Sequence, residues 1–226
     1  QLQKLSIAFK PSNLRSLLNN KITQGKLVTE LEFYLDEKNS LANFIAKGSV
    51  SNLKTEITNN INLEKTNFSF FADKTDVLIK NIFGEMGPVK ITDGDIKLKL
   101  SPEISLKSNF KSNIKFNNKF IKYMDLIKDF RYAKSLVSLD ADLNNTFFIN
   151  FDKTYKVKKY NYKNNGKIIK AKFDFENPIT SDLLSEKIKQ ISLANSEIAT
   201  DLSSNKYNTT IKGKYSLNEG NFLLFW

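Results

Sequence analysis

Two Ser-x-x-Lys pairs, Ser51/Lys54 and Ser112/Lys115, have the spacing at which a lysine can deprotonate a serine nucleophile in acyl-enzymes. In a chain this rich in lysine such pairs arise from composition, and neither stands at a clear helix start, where that chemistry is built. Carboxylates recur two residues apart at Glu30/Glu32 and Asp140/Asp142. Two acids on one strand face suit glycoside cleavage or a cation. Neither pair comes with a supporting cluster, and Asp93-Gly94-Asp95 lacks the remaining ligands of a calcium loop, so solubility accounts for them. The block Tyr155-Lys-Val-Lys-Lys-Tyr-Asn-Tyr-Lys163 interleaves rings with lysines. A single-strand nucleic-acid platform has that composition. The block has no arginine for bidentate phosphate or base contacts, which argues against nucleic acid as a partner. A solvated strand face is the simpler reading. Attraction of Lys156, Lys158, Lys159 and Lys163 to anionic lipid headgroups is the other.

The chain contains no cysteine and no histidine. Thiolate and imidazole chemistry, disulfides, zinc fingers and Ser-His-Asp triads are therefore excluded, and no metal or cofactor is expected. Hydrophobic content of 40% with 18 Phe places the chain outside the disordered class. Net charge is +11. The segment from Lys107 to Lys172 carries sixteen basic and five acidic residues, which accounts for the whole excess, and the rest of the chain is neutral. Only Arg15 and Arg131 accompany the lysines. The chain begins at Gln1 and stops within the apolar run Phe222–Trp226, so residues 1–226 are expected to be one continuous segment of a larger protein, with any anchor lying elsewhere.

The elements that position these side chains are mostly strands. Period-two alternation places Leu27, Leu31, Phe33 and Leu35 on one face of 26–35, against Glu30, Glu32 and Tyr34. The same rhythm returns at Ile96, Leu98 and Leu100, at Ile104 and Leu106, at Ile169, Ala171, Phe173 and Phe175, and from Tyr207 through Ile211 to Leu217. Asp93-Gly94, Asn59-Asn60, Asn117-Asn118 and Asn164-Asn165-Gly166 read as hairpin connections. Phe120, Met124, Ile127 and Phe130 recur at helical spacing and predict an amphipathic helix insertion over 118–137. Shorter helices are predicted from Ser12 through Leu18 and from Ser181 to Ile188. The phrase Asp-Lys-Thr recurs at 73–75 and 152–154, about 80 residues apart, as an array of hairpin units would have it.

One-sidedly apolar strands must hide that face in a sandwich, in a barrel, or as an open curved trough around hydrocarbon. The residues alone leave these three open, and general packing favours the sandwich. The stretches Gly48–Lys54, Phe68–Gly84 and Val89–Leu100, and the tail 191–224 with Ile211-Lys-Gly-Lys-Tyr-Ser-Leu217, resemble the AsmA-like family of bacterial bridge-like lipid-transport proteins. The likeness is one of rhythm and covers about two thirds of the chain. It implies a mainly β fold, a long antiparallel curved sheet forming a taco-like β-groove, with one or two amphipathic helices. It also implies no catalysis and a place in the cell envelope, as the periplasmic portion of an inner-membrane-anchored protein. The partners would be phospholipid acyl chains, with the inner and outer membrane surfaces reached through other parts of the protein. The groove lining would be Leu31, Phe33, Phe68, Phe70, Ile96, Leu98, Leu100, Ile104, Leu106, Phe173 and Ile211. A structural or adhesive β-sandwich array without lipid cargo is the rival expectation.

Overall fold

The computed structural model describes residues 20–58, 61–117, 135–180, 186–220 and 223–225. They form eleven strands: β1 (Ile22–Leu35), β2 (Leu41–Thr58), β3 (Ile61–Asp73), β4 (Asp76–Met86), β5 (Val89–Lys99), β6 (Ser105–Asn117), β7 (Leu136–Phe151), β8 (Val157–Ile179), β9 (Ile188–Ser203), β10 (Lys206–Leu217) and β11 (Leu223–Phe225). All lie in a single sheet whose spatial order is the sequence order, and every neighbouring pair is antiparallel. The sheet is open and gently curved. β1 and β11 are its two edges, and no second layer covers it among the described residues.

Most of the connections are short, which favours this meander. Three of the turns at one rim are built on an aspartate. Asp36 Oδ1 accepts from the Lys38 and Ser40 amides. Asp73 Oδ1 accepts from the Thr75 amide at 2.7 Å, the Thr75 hydroxyl and the Asp76 amide. Asp152 Oδ1 does the same with the Thr154 amide, the Thr154 hydroxyl and the Lys156 amide. The recurring Asp-Lys-Thr phrase is thus a turn device in which the carboxylate satisfies the N–H groups that the strand ends leave unpaired.

Two expected turns are corrected. Asp93-Gly94 lies inside β5, beside a register shift between Ile91 and Asp93. A β carbon on Gly94 would sit 3.0 Å from Phe110 Cβ and 3.3 Å from Ile82 Cβ, so the glycine serves close packing on one face. Asn164-Asn165-Gly166 lies in the middle of β8, where a β carbon on Gly166 would collide with the Asp142 carbonyl oxygen of β7. Cross-strand pairing on both sides overrides the local turn preference of these residues. Asparagine has a different job here. Among the described residues, five of the eight non-glycine residues with positive φ are Asn39, Asn52, Asn81, Asn195 and Asn218. Asn52, Asn81 and Asn195 sit where the pairing register shifts. Asparagine tolerates the left-handed conformation that such bulges need.

The helix expected over 118–137 lies outside the described residues for 118–134. Its last two positions are corrected, since Leu136 and Val137 begin β7. Pairing of Leu136 with Phe173 on β8 places it in the sheet. The helix expected at 12–18 is also outside the described residues. Of the one expected at 181–188, residues 181–185 lie outside them and Ile188 opens β9.

Candidate functional site

Because directly opposed residues of paired strands share a face, the register assigns every side chain to one of two surfaces. One of them is continuous and apolar from β1 to β10. Leu31 faces Ala46, Phe33 faces Phe44, Phe70 stands between Gly48 and Ile79, and Phe68 faces Val50. Ile96 faces Ile79, and Leu98 lies between Val77 and Leu106. Leu106 faces Ile149, Phe173 lies between Leu136 and Ile191, and Ile211 faces Ile198. Nine of the eleven expected lining residues therefore share one surface. The other two, Leu100 and Ile104, belong to the β5–β6 connection rather than to a strand face. The Leu100 amide bonds to the Thr75 carbonyl, and the Ile104 carbonyl accepts from Phe151.

This surface is only partly buried. Its tightest cluster is Ala141, Ile168, Ala171 and Leu193 on β7–β9, flanked by Leu136, Leu139, Phe173 and Ile211. Towards the β1 edge, Leu31 is 53% and Phe33 64% exposed. The chain exposes 15741 Å² in all, against roughly 10,500 Å² for a compact protein of 25.9 kDa.

A polar row crosses the apolar surface at right angles to the strands, and sequence reasoning missed it. Phe110, Asn145, Asn164, Thr200 and Thr209 are successive register partners on β6–β10. Asn145, only 4% exposed, donates to Ser112 Oγ at 2.9 Å and to the Phe110 carbonyl. The Tyr162 hydroxyl donates to Asn145 Oδ1 at 2.8 Å and accepts from Asn164 Nδ2 at 3.0 Å. Burial pushes the Tyr162 hydroxyl pKa upward. The Tyr162 ring lies 4.4 Å from that of Phe147, and Phe147 stacks in turn on Phe110. Thr200 and Thr209 share a hydroxyl hydrogen bond further along. The visible signal was a polar residue at an apolar parity, Asn145 between Leu143 and Phe147.

The opposite surface carries the charges. Glu30 and Glu32 share Lys47 at 3.3 and 3.5 Å, and Tyr34 donates to Glu32. That hydrogen bond, with Lys47 beside it, holds the Glu32 carboxyl below its ordinary range. Asp140 pairs with Lys115, and Asp142 accepts from Asn113. Both carboxylate pairs are thus occupied by cross-strand partners. Ser112 lies on the apolar surface and Lys115 on the polar one, so they form no dyad. Lys54 is held by Glu64 at 2.7 Å. The Tyr155–Lys163 block is divided by the sheet itself. Tyr160 and Tyr162 take the apolar surface, whereas Lys159 and Lys163 take the polar one. Lys156 lies in the rim turn, and Lys158 stands near enough to Asp152 to help lower its pKa. Lys163 is engaged by Asp201 at 3.7 Å.

Among the described residues no three acidic, His or Cys side chains converge as a metal site would need, and no helix is long and apolar enough to cross a membrane. These features define a class by architecture, an open antiparallel meander with one uncovered apolar face. Compared with protein-family models, with curated proteins and with solved structures, the chain matches none.

Proposed function

We propose that this chain is a non-catalytic segment of a cell-envelope β-groove that carries phospholipids between membranes. The acyl chains lie on the apolar surface of β1–β10, and the headgroups stay in water. The supporting observation is the continuity of that surface across ten strands, with large side chains such as Leu31 and Phe33 uncovered. Burying hydrocarbon against it is favourable by about 0.8 kcal/mol per CH₂. The rhythm shared with AsmA-like proteins supports the same reading and suggests the periplasm as its setting. A rival adhesive sandwich needs a second sheet to occupy the same surface, and none is present among the described residues.

Mass spectrometry of the purified chain tests the reading. Phospholipid should co-purify, and Leu98→Asp or Phe70→Asp should reduce it at least tenfold while circular dichroism still reports strands. A lipid-free parent, or variants that retain the lipid of the parent, would overturn the reading.

A further inference from the structure

The polar surface carries its own unassigned feature near the rim formed by the Asp36, Asp73 and Asp152 turns. One register row runs Lys47, Phe71, Leu78, Lys97, Lys107, Phe148 across β2–β7. Phe71 is 42% and Phe148 44% exposed on this face, which carries most of the charged side chains. The two rings are four strand spacings apart, roughly 19 Å. Lys97 and Lys107 are direct partners on β5 and β6, a like-charge pairing that the sheet itself does not favour. Both are exposed, and neither has an ion pair among the described residues. Lys47, by contrast, is held by Glu30 and Glu32. One row nearer the rim, Lys99 and Lys159 flank Ser105 and Asn150, with Asp76 opposite Lys99 as the acidic neighbour.

We propose that the Phe71–Phe148 row is a docking stripe for the surface of an anionic lipid bilayer. The unneutralised lysines at its centre call for negative charge from outside the molecule. The rings on either side call for a partly apolar environment, and the headgroup region of a bilayer supplies both. Lysine stems snorkel there while aromatic rings settle at headgroup depth. A nucleic acid is the poorer fit, because among the described residues no arginine stands on this face to grip phosphates or bases with a planar fork. The stripe faces away from the apolar surface, so the inference does not rest on lipid carriage.

Co-flotation of the full 226-residue chain with vesicles is the test. Binding is expected to phosphatidylglycerol/phosphatidylcholine vesicles and not to pure phosphatidylcholine, and it should weaken as salt rises. Lys97→Glu with Lys107→Glu should lower the affinity at least tenfold. Phe71→Ser with Phe148→Ser should lower it too, with the salt dependence kept. As a readout independent of affinity, Phe148→Trp should add a tryptophan emission that shifts to the blue on anionic vesicles and is quenched by brominated lipid. Equal attachment to neutral vesicles would mean contact through the apolar surface and would overturn the inference. So would an equal loss from charge reversal at Lys115 and Lys167, or tighter binding to an oligonucleotide than to anionic vesicles.

Discussion

Asp152 Oδ1 accepts three hydrogen bonds within its own turn, and Asp73 repeats the pattern earlier in the chain. The Thr154 hydroxyl bond, followed by the Lys156 and Thr154 amides, lowers the Asp152 pKa; the Thr75 and Asp76 amides lower that of Asp73. A carboxylate whose folded pKa is depressed stabilises the fold fully above its unfolded value, about 3.9, and loses that contribution as pH falls through the folded value. The two turns should therefore weaken only below about pH 4. Asp73→Asn with Asp152→Asn keeps an acceptor oxygen but removes the titration. In thermal melts, the parent should lose more of its midpoint than this double variant between about pH 5 and pH 2. Parallel acid limbs would show that these carboxylates do not couple to folding.

At the scale of elements, a tight constraint lies where β7 and β8 approach each other. Gly166→Ala puts a methyl group against the Asp142 carbonyl, and Gly87→Ala meets nothing within 4 Å although its φ is +56°. Overpacking costs roughly 1–3 kcal/mol, whereas a non-glycine residue in the left-handed region costs roughly 1–2 kcal/mol. Urea denaturation should therefore rank Gly166→Ala as the more damaging, with the difference growing for Gly166→Val. Strands such as β1 and β10 were legible because an uninterrupted period-two pattern survives at Leu27–Leu35 and Tyr207–Leu217. Turns were less so. Asp93-Gly94 and Asn164-Asn165-Gly166 carry turn chemistry, but their neighbours across the sheet decide the conformation. The polar row at Asn145, Asn164, Thr200 and Thr209 was hidden for a related reason. Its members lie many residues apart and meet only through the pairing register, which the bulge at Asn195 helps to set on β9. The stripe of Phe71, Lys97, Lys107 and Phe148 depends on the same register. The apolar lining was readable strand by strand, and its exceptions, Leu100 and Ile104, lie in a proline-containing connection that alternation does not describe.

At the scale of the whole molecule, eleven strands spaced by about 4.8 Å make a sheet roughly 48 Å across. A compact globule of this length would have a radius of gyration near 17 Å. Small-angle scattering should give a clearly larger value for the monomer. A value at or below ~17 Å would mean that the apolar surface has closed on itself. The strictly sequential order of the strands has one more consequence. Among the described residues each strand pairs only with the strands beside it, so whole pairs of strands can be gained or lost without disturbing the pairing elsewhere. Single-residue insertions inside a strand have no such freedom, because one added residue swaps the two surfaces downstream of it unless a bulge absorbs it. Variation in this protein should therefore accumulate as entire hairpins and as residues in left-handed bulges, and the width of the sheet would be a length that evolution sets by counting strands.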